Sequence, residues 1–509
     1  MDLDEMRRVE TQAHEMDGLG LEAPLETVAV LRQVLLPVVL HALGAPTSEQ
    51  EWEARWTAGR FDAGRIQSYL KQWRDHFDLF DATQPFAQVA GLRTEKNETK
   101  PVSLLLPAVA TGNNVPLFTS RTEAGPPLTP AEAARALLAA HCWDTAAIKS
   151  GAVDDPLMSA GKTTGNPTGP LGQLGVVVPM GATLFETLML NTPIIRQGLE
   201  RDDRPQWTNA PATPAWNPSG SPKGLLDLLT WQARRIRLVR DDDGLVRSVV
   251  LAAGDRLGTV DHHVEPHTAW RRDPKTAAQR PLRHQPGRAA WRGLTSLLAT
   301  DTAGDGAGES SSLLITQLGA LRVQERVPED LALQVLTVGV AYGNQSAVVE
   351  DVMVDLIPLP VAALPLGNAV HDLLLQIVDE AEALRVAMNK LGDDLRQAVG
   401  ADKLPWDKGT RLGDALVHEF TGPVRRLLGG LQREPDRTDD AEQAWRSTAR
   451  RLALSAANRA VDALPPTAFL GRELNEKVQL RASTAEAFFR RRLNDVLGRP
   501  TPVTTGDRS

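Results

Sequence analysis

The sequence VHDLLLQIVDEAEALRVAMNKLGDDL, residues 370–395, marks the change from one kind of domain to another. Apolar residues recur along it in alternating steps of four and three, at Val370, Leu374, Ile377, Ala381, Leu384, Met388, Leu391 and Leu395. This spacing puts them on one face of an α-helix, and such a face is normally buried against other helices. The stretch therefore predicts a long helix that belongs to a bundle.

More helical patterns follow this stretch. Two of them cover residues 412–431 and 441–464. In the last one, the apolar residues that share a face are Ala485, Phe488, Phe489, Leu493, Val496 and Leu497. Helices of this length and number predict a four-helix bundle, which we place at residues 366–500. We expect residues 501–509 to form a flexible tail.

The chain before the bundle mixes helical and strand patterns. A dense apolar run at residues 27–43 predicts a buried helix, and Thr129-Pro130 followed by Glu132 predicts the start of a helix that runs to Trp143. Alternating residues at 234–251 surround the turn sequence RDDDG and predict a hairpin.

A second hairpin is predicted where the apolar runs 333–340 and 348–359 flank the sequence YGNQ. With 35 prolines and 40 glycines in 509 residues, many irregular connections are expected. The predicted fold class is α+β: a large irregular mixed α/β domain at residues 1–365, followed by the C-terminal four-helix bundle.

The composition of the chain indicates its cellular location and excludes some kinds of cysteine site. We find no stretch that approaches the roughly 18 apolar residues of a membrane span, and the N-terminus lacks the layout of a secretory signal. We therefore expect a cytoplasmic protein with no membrane partner. The single cysteine, Cys142, excludes an internal disulfide and a multi-cysteine zinc site.

Motifs for catalysis are incomplete. The sequence GKTT at residues 161–164 resembles the end of a phosphate-binding loop, but Pro156 stands where that motif requires glycine. His141 and Cys142 are adjacent, so their side chains diverge and do not form a nucleophile and its base. A buried structural cysteine is the better interpretation, and we expect no catalytic residue and no cofactor.

Three histidines allow a metal site as an alternative. His262, His263 and His267 include a pair spaced four residues apart, which would share one face of a helix. Pro266 argues against a helix there, so the interpretation that we prefer has no metal. A metal-dependent enzyme that uses this cluster stays open as an alternative.

Charge does not by itself indicate a nucleic-acid binder, because the formal net charge is −8. Basic residues nevertheless cluster at Arg271, Arg272, Lys275, Arg280, Arg283, Arg288 and Arg292. Such a cluster fits either a local nucleic-acid contact or an ordinary solvated surface.

An ordered set of short motifs resembles the CasA family, the large subunits of type I-E CRISPR Cascade complexes. The motifs are FDLF at 77–80, QPF at 84–86, TGNN at 111–114 with LF at 117–118, GATLFETL at 181–188, PQW at 205–207, WQ at 231–232 with RRI at 234–236, and YGNQS at 342–346. Each is moderately specific, and together they cover nearly the whole chain.

The resemblance implies a non-catalytic subunit that recognises the protospacer-adjacent motif in double-stranded DNA. It would promote strand opening and R-loop formation, while pairing with the guide reads the rest of the target. The implied partners are the other Cascade subunits, the CRISPR guide RNA, the target DNA and a recruited helicase-nuclease. The alternative is a purely structural assembly subunit that does not read DNA.

The resemblance also implies which residues touch DNA. Gln345, with Asn344 beside it, matches a glutamine on a hairpin turn that is inserted between base pairs beside the motif. A turn that uses Asn344 only for its backbone conformation is the alternative. Lys275 matches a lysine that enters the minor groove, with Arg271 and Arg272 as alternatives.

Two further elements follow from the same resemblance. A glycine-rich loop that approaches the groove through its backbone corresponds to Ser159, Ala160 and Gly161, with Lys162 as a phosphate contact. Phe118, beside Leu117, corresponds to a contact with the handle of the guide RNA, where an aromatic ring can stack on a base. An ordinary core aromatic is the alternative for Phe118.

Overall fold

The computed structural model describes residues 23–106, 126–299, 308–405, 409, 411–475 and 478–499. The chain divides into two compact units, Met1–Arg288 with Ala299–Leu356, and Ala289–Leu298 with Ile357–Ser509. Leu117, Phe118 and the expected tail at 501–509 lie outside the described residues. A domain boundary between residues 365 and 366 stays a prediction, for limited proteolysis to test.

The first unit has its helices mainly in its N-terminal half. They are α1 (Pro24–Leu43, with a π-helical turn at Leu31–Leu35), α2 (Glu49–Ala58), α3 (Ala63–Gln72), α4 (Pro130–Trp143), α5 (Leu184–Leu190), α6 (Leu225–Leu229) and α8 (Leu313–Val323). Helix α4 has the predicted bounds, because the Thr129 hydroxyl accepts from the Glu132 N–H and the Glu132 carboxylate accepts from the Thr129 N–H. Single 3-10 turns lie at Arg74–Phe77, Val102–Leu105, Pro170–Gln173 and Gln206–Thr208.

Helix α1 corrects our expectation about apolar stretches. Its 20 residues are long and apolar enough to cross a membrane by length and composition alone. The sequence pattern hid this because Arg32 and Gln33 interrupt the apolar run, but the structure buries both side chains. The most apolar window of α1 is 72% buried inside the protein, as in the core helix of a globular unit.

Short antiparallel sheets complete the first unit. The strands are β1 (Lys100–Pro101), β2 (Lys149–Ser150), β3 (Lys162–Thr163), β4 (Val176–Met180), β5 (Arg234–Arg240), β6 (Val246–Ala253), β7 (Trp270–Arg272), β8 (Gln279–Pro281), β9 (Glu309–Ser310), β10 (Gln334–Gly343) and β11 (Val348–Pro358). Their orders are β1-β6-β5, β11-β10-β4, β2-β3 and β8-β7-β9. Both predicted hairpins, β5–β6 and β10–β11, are confirmed.

The alternation of residues in β5 explains one core of this unit. Ile236 and Leu238 point to the same face of the strand, where they pack with β6 and α4. The buried residues of this core are Val102, Leu105, Leu128, Ala133, Ala136, Leu137, Ala140, Ile236, Leu238, Val246, Val249 and Leu251. Helix α4 and strand β5 are therefore held together by apolar burial, which fixes the positions of the residues at their ends.

The second unit is mainly helical. It contains α7 (Leu294–Leu298), α9 (Ala369–Ala398), α10 (Leu412–Arg433), α11 (Thr438–Asp462), α12 (Thr467–Leu470) and α13 (Ala482–Leu497), with strands β12 (Arg472–Asn475) and β13 (Val478–Leu480) and 3-10 turns at Ala290–Gly293 and Val361–Ala363. The long helices α9, α10, α11 and α13 pack as a bundle. The predicted fold class is confirmed.

The apolar face predicted for α9 is the core of the bundle. Each of its eight residues is exposed by no more than 3%. Phe420 of α10 and Trp445 of α11 meet edge to face, with ring centroids 5.2 Å apart, and the Trp445 indole N–H donates to Glu380 of α9 at 2.8 Å. Aromatic packing and a satisfied polar atom thus join three helices.

Replacing Phe420 with alanine should destabilise the bundle by about 3 to 5 kcal/mol, because the fully buried ring would leave a cavity. Urea unfolding followed by circular dichroism measures this change. The matched control is Phe488→Ala in α13, where the side chain is 42% exposed and the expected loss is clearly smaller, about 1 kcal/mol. Equal losses in the two variants would contradict the packing described here.

Candidate nucleic-acid interface

The turn between β10 and β11, residues 344–346, has an unusual backbone. Asn344, Gln345 and Ser346 have φ angles of 35°, 58° and 59°, so three consecutive residues with side chains lie in the left-handed region. Each such residue costs on the order of 1 kcal/mol, which contacts with its surroundings must offset. Asn344 and Gln345 are exposed. We call residues 344–346 the wedge turn.

Contacts on both sides hold the wedge turn in place. The Ser346 carbonyl accepts from the Ala146 N–H at 2.8 Å, and the Tyr342 hydroxyl donates to the Trp143 carbonyl at 2.6 Å. Burial raises the pKa of Tyr342, so this hydroxyl keeps its proton. Gly172 allows the close approach, because a Cβ there would lie 2.3 Å from the Tyr342 hydroxyl oxygen.

The predicted glycine-rich loop is a tight two-residue turn. Ser159 and Lys162 exchange backbone hydrogen bonds of 3.0 and 3.1 Å, and the residues between them, Ala160 and Gly161, have φ angles of 50° and 70°. Positive φ at both central positions is the pattern of a type I′ hairpin turn. We call residues 159–162 the glycine turn; Ser159, Ala160 and Lys162 are exposed on it.

A buried carboxylate shapes the chain that leads into the glycine turn. Asp155 accepts from the Leu157 N–H at 2.9 Å, the Thr163 hydroxyl at 3.3 Å and the Trp216 indole N–H at 3.1 Å. Leu157 precedes the glycine turn and Thr163 follows it, so the Asp155 side chain fixes both ends of the turn.

Lys275 lies in the turn that joins β7 to β8. Asp273 accepts from the backbone N–H groups of Lys275 and Thr276 at 2.9 and 3.1 Å, and these bonds lower the pKa of Asp273. The turn closes with hydrogen bonds from Asp273 to Ala278 and from Ala277 to Asp273, both 2.9 Å. We call residues 273–278 the lysine turn, and its Lys275 side chain is exposed.

Several neighbours of Lys275 in the basic cluster are already neutralised. Arg271 pairs with Glu309 and Arg280 pairs with Asp273. Among the described residues, no carboxylate forms an ion pair with Lys275. Lys275 is therefore better placed than Arg271 to give its charge to a ligand.

Strand β4 connects the lysine turn with the wedge turn. It pairs with β10 along residues 334–338. At its start, the Gly175 N–H donates to the Leu282 carbonyl directly after β8, and the Val177 N–H donates to the His267 carbonyl shortly before β7, at 2.8 and 2.7 Å. Both hairpins that carry predicted DNA-contacting residues are thus attached to the same strand.

The segment 144–150 connects the wedge turn with the glycine turn. Its Ala146 N–H donates to the wedge turn, as described above, and its last two residues, in β2, pair with Lys162 and Thr163 of β3. Directly after it, the Gly151 N–H donates to the Gly161 carbonyl at 2.9 Å. The structure thus brings these two turns together on one short segment.

Sequence reasoning missed Arg234, the residue that holds segment 144–150. Arg234 and Arg235 begin β5 and are both buried, with 2% and 5% of their surfaces exposed. A pair of arginines at the start of an otherwise apolar hairpin strand was the available signal, since arginine is almost never fully buried without partners. Asp144, the carboxylate partner of Arg234, lies 90 residues earlier in the chain.

The histidine set proposed as an alternative metal site does not assemble. His267 is fully buried, where its Nδ1 accepts from Arg32 at 2.7 Å and its Nε2 faces the Asn191 amide oxygen at 3.0 Å. His262 and His263 instead lie with Asp261 in a surface turn, with possible ligand atoms within 4.8 Å of one another. The expectation that no metal binds stays a prediction.

Cys142 is buried, as predicted from the sequence. Burial raises the pKa of its thiol to about 12, and the Gln33 amide nitrogen lies 2.9 Å from Sγ. A thiol that stays protonated near neutral pH is a poor nucleophile. Cys142 therefore serves the packing of α1 against α4.

Comparisons with known proteins agree with this architecture. The family model for the CRISPR-associated protein Cse1 matches residues 5–456. The CasA/Cse1 protein of Thermus thermophilus is 28% identical over 483 residues, covering 87% of this chain and 86% of that protein. The crystal structure of Thermobifida fusca Cse1 superposes with a TM-score of 0.84 at 33% identity, covering 97% of this chain and 94% of the other.

A solved CRISPR RNA-guided surveillance complex contains a chain of the same fold. Its TM-score is 0.67 at 19% identity, and the match covers 96% of this chain and 94% of that chain. With the family model matching most of the sequence, the chain belongs to the Cse1 (CasA) family of CRISPR-associated proteins.

Proposed function

We propose that this protein is the non-catalytic large subunit of a type I-E CRISPR surveillance complex, where it recognises the motif beside a DNA target and starts strand opening. Family membership and the similar chain in a surveillance complex support the first part. The observation that carries the second part is the exposed Gln345 on a left-handed turn.

The chemistry of Gln345 suits a residue inserted between base pairs. Its amide offers donors and an acceptor that can replace hydrogen bonds lost when a pair opens, and it has no charge to desolvate. The neighbouring bonds to Ala146 and Trp143 hold the turn in shape before DNA arrives. Little conformational freedom is then lost on binding.

Lys275 and Lys162 suit contacts of different kinds. The minor groove presents acceptor atoms and a negative potential, and the exposed ammonium of Lys275 on a narrow turn can enter it. Lys162 lies on the glycine turn, from which a flexible cation can reach phosphate oxygens. The backbone of Ala160 and Gly161 has little side-chain bulk to keep it away from the groove.

A small contribution of binding free energy from the protein is enough to favour strand opening. Unstacking one base step costs about a few kcal/mol, whereas exchange of the DNA duplex for a guide–target duplex is nearly balanced. Contacts at three turns therefore suffice to favour opening where the motif is present. We assign cleavage to a recruited helicase-nuclease and the protein itself to the cytoplasm.

The guide RNA and the other subunits complete the proposed assembly. Phe118, with Leu117, stays our prediction for the contact with the handle of the guide, in a part of the chain outside the described residues. The second candidate function is a structural subunit that assembles the complex without reading DNA. The two candidates differ in whether single changes at exposed turns affect DNA and leave assembly intact.

Replacing Gln345 with alanine should reduce duplex opening about 5- to 30-fold, corresponding to about 1 to 2 kcal/mol of lost contacts. The measurement uses guide-loaded complex reconstituted with this subunit and a matched duplex that carries 2-aminopurine beside the motif. Gln67→Ala, on the exposed surface of α3, is the control and should behave like the native chain. Native-like opening by the Gln345 variant would favour the structural subunit.

Replacing Lys275 with alanine should weaken binding to duplexes that carry the motif and lower the slope of log affinity against log salt by about one. Lys275→Arg separates charge from shape, because arginine keeps the cation but changes the group that enters the groove. Lys71→Ala, on the exposed surface of α3, is the matched control. If the Lys275 and Lys71 variants bind alike, Lys275 does not contact DNA.

A further inference from the structure

Two cations and one anion are buried together where segment 144–150 meets the start of β5. Asp144 is 10% exposed, Lys149 6% and Arg234 2%. One oxygen of Asp144 accepts from Lys149 at 2.7 Å and also from the Arg234 Nε. Burial alone raises the pKa of Asp144, but the two cations outweigh it, so that pKa lies below its usual value. The cluster thus has one positive charge more than Asp144 neutralises.

Backbone carbonyl groups accept hydrogen bonds from both Nη atoms of Arg234. Its Nη2 donates to the carbonyl oxygens of Thr145 and Pro167 at 2.9 and 2.8 Å, and its Nη1 donates to that of Ala233 at 2.7 Å. The Asp144 carbonyl in turn accepts from the Gly169 N–H at 2.7 Å. One guanidinium therefore joins the start of β5 to segment 144–150 and to the chain near residue 167.

The position of this cluster matters because segment 144–150 carries two of the proposed DNA-contacting turns. Between the residues that bind Arg234 and those that pair with β3, Ala146 holds the wedge turn. Apolar residues of similar volume often stabilise a fold as well as a buried ion pair does. What they lack is the fixed directions of the arginine donors, which determine where each carbonyl group lies.

We propose that Arg234 is a positioning residue of the DNA-reading site, which holds the wedge turn and the glycine turn in one fixed relation through segment 144–150. The proposal rests on the function proposed above for those turns. Arg234 itself is buried and does not touch DNA.

The substitution Arg234→Lys tests this role, because lysine keeps the charge but loses the branched set of donors. The matched control is Arg235→Lys, the next residue of β5. Arg235 is also buried, and it donates to the Thr213 and Ala215 carbonyl groups and to Asp255, away from segment 144–150. Arg234→Lys therefore removes hydrogen bonds to segment 144–150, whereas Arg235→Lys removes hydrogen bonds to other parts of the chain.

The first readout is hydrogen exchange in the assembled complex. In Arg234→Lys, the N–H groups of Ala146 and Gly151 should both exchange roughly tenfold faster or more, as expected for one lost charge-assisted hydrogen bond. In Arg235→Lys they should exchange as in the native chain. Native protection in Arg234→Lys, or equal loosening in the two variants, overturns the proposal.

The second readout is opening of the matched duplex. Arg234→Lys should open it roughly tenfold less, whereas binding to a target already unpaired beside the motif should stay native-like. Faster exchange with native opening would show that the cluster does not position the DNA-reading site. If Gln345→Ala also opened DNA like the native chain, the function proposed for the wedge turn would be wrong. The exchange experiment would still test whether Arg234 holds the two turns together.

Native-state exchange tests the same link without a variant, should Arg234→Lys fail to assemble. If one device holds both turns, the Ala146 and Gly151 N–H groups open together and have equal opening free energies in low urea. Clearly unequal values would mean that the two turns are held independently, and the proposal would be wrong.

Discussion

The hydrogen bonds of the Arg234 guanidinium are the interaction on which the candidate site depends. They start from β5, whose Ile236 and Leu238 also pack against α4 in the core. Apolar burial thus fixes the position of β5, and the arginine transmits that position to segment 144–150. Segment 144–150 is therefore tied to the core through β5.

Individual charged side chains, and not the net charge of the protein, determine how it can attract DNA. The net charge of −8 gives no general attraction to DNA, and much of the basic cluster is spent on ion pairs such as that of Arg271 with Glu309. The exposed side chains of Lys275 and Lys162 stand on turns whose shape is fixed by hydrogen bonds. In the proposed function, such an arrangement favours recognition of a particular groove over nonspecific binding to DNA, which requires a broad basic surface.

Local sequence patterns predict the main helices and hairpins, whereas contacts between residues far apart in the chain cannot be predicted from them. The period of α9 and the cap of α4 depend on neighbours a few residues away, and both agree with the structure. The burial of Arg32 in α1 depends on Glu265, and that of Arg234 on Asp144, partners that no local pattern reveals. The sequence predicts a glycine-rich loop at residues 159–162 but not its tight turn, because the bonds that close the turn involve backbone atoms only.

The left-handed conformation of three residues in the wedge turn costs free energy during folding. The bonds to Ala146 and Trp143 offset that cost in the free protein, so the function proposed for Gln345 requires no ordering of the turn when DNA binds. Strand exchange with a guide is nearly balanced, and a contribution of a few kcal/mol decides its direction. In the proposed function, the turn contributes most to strand opening when its support is rigid, which gives a physical reason for the buried charges of Asp144, Lys149 and Arg234.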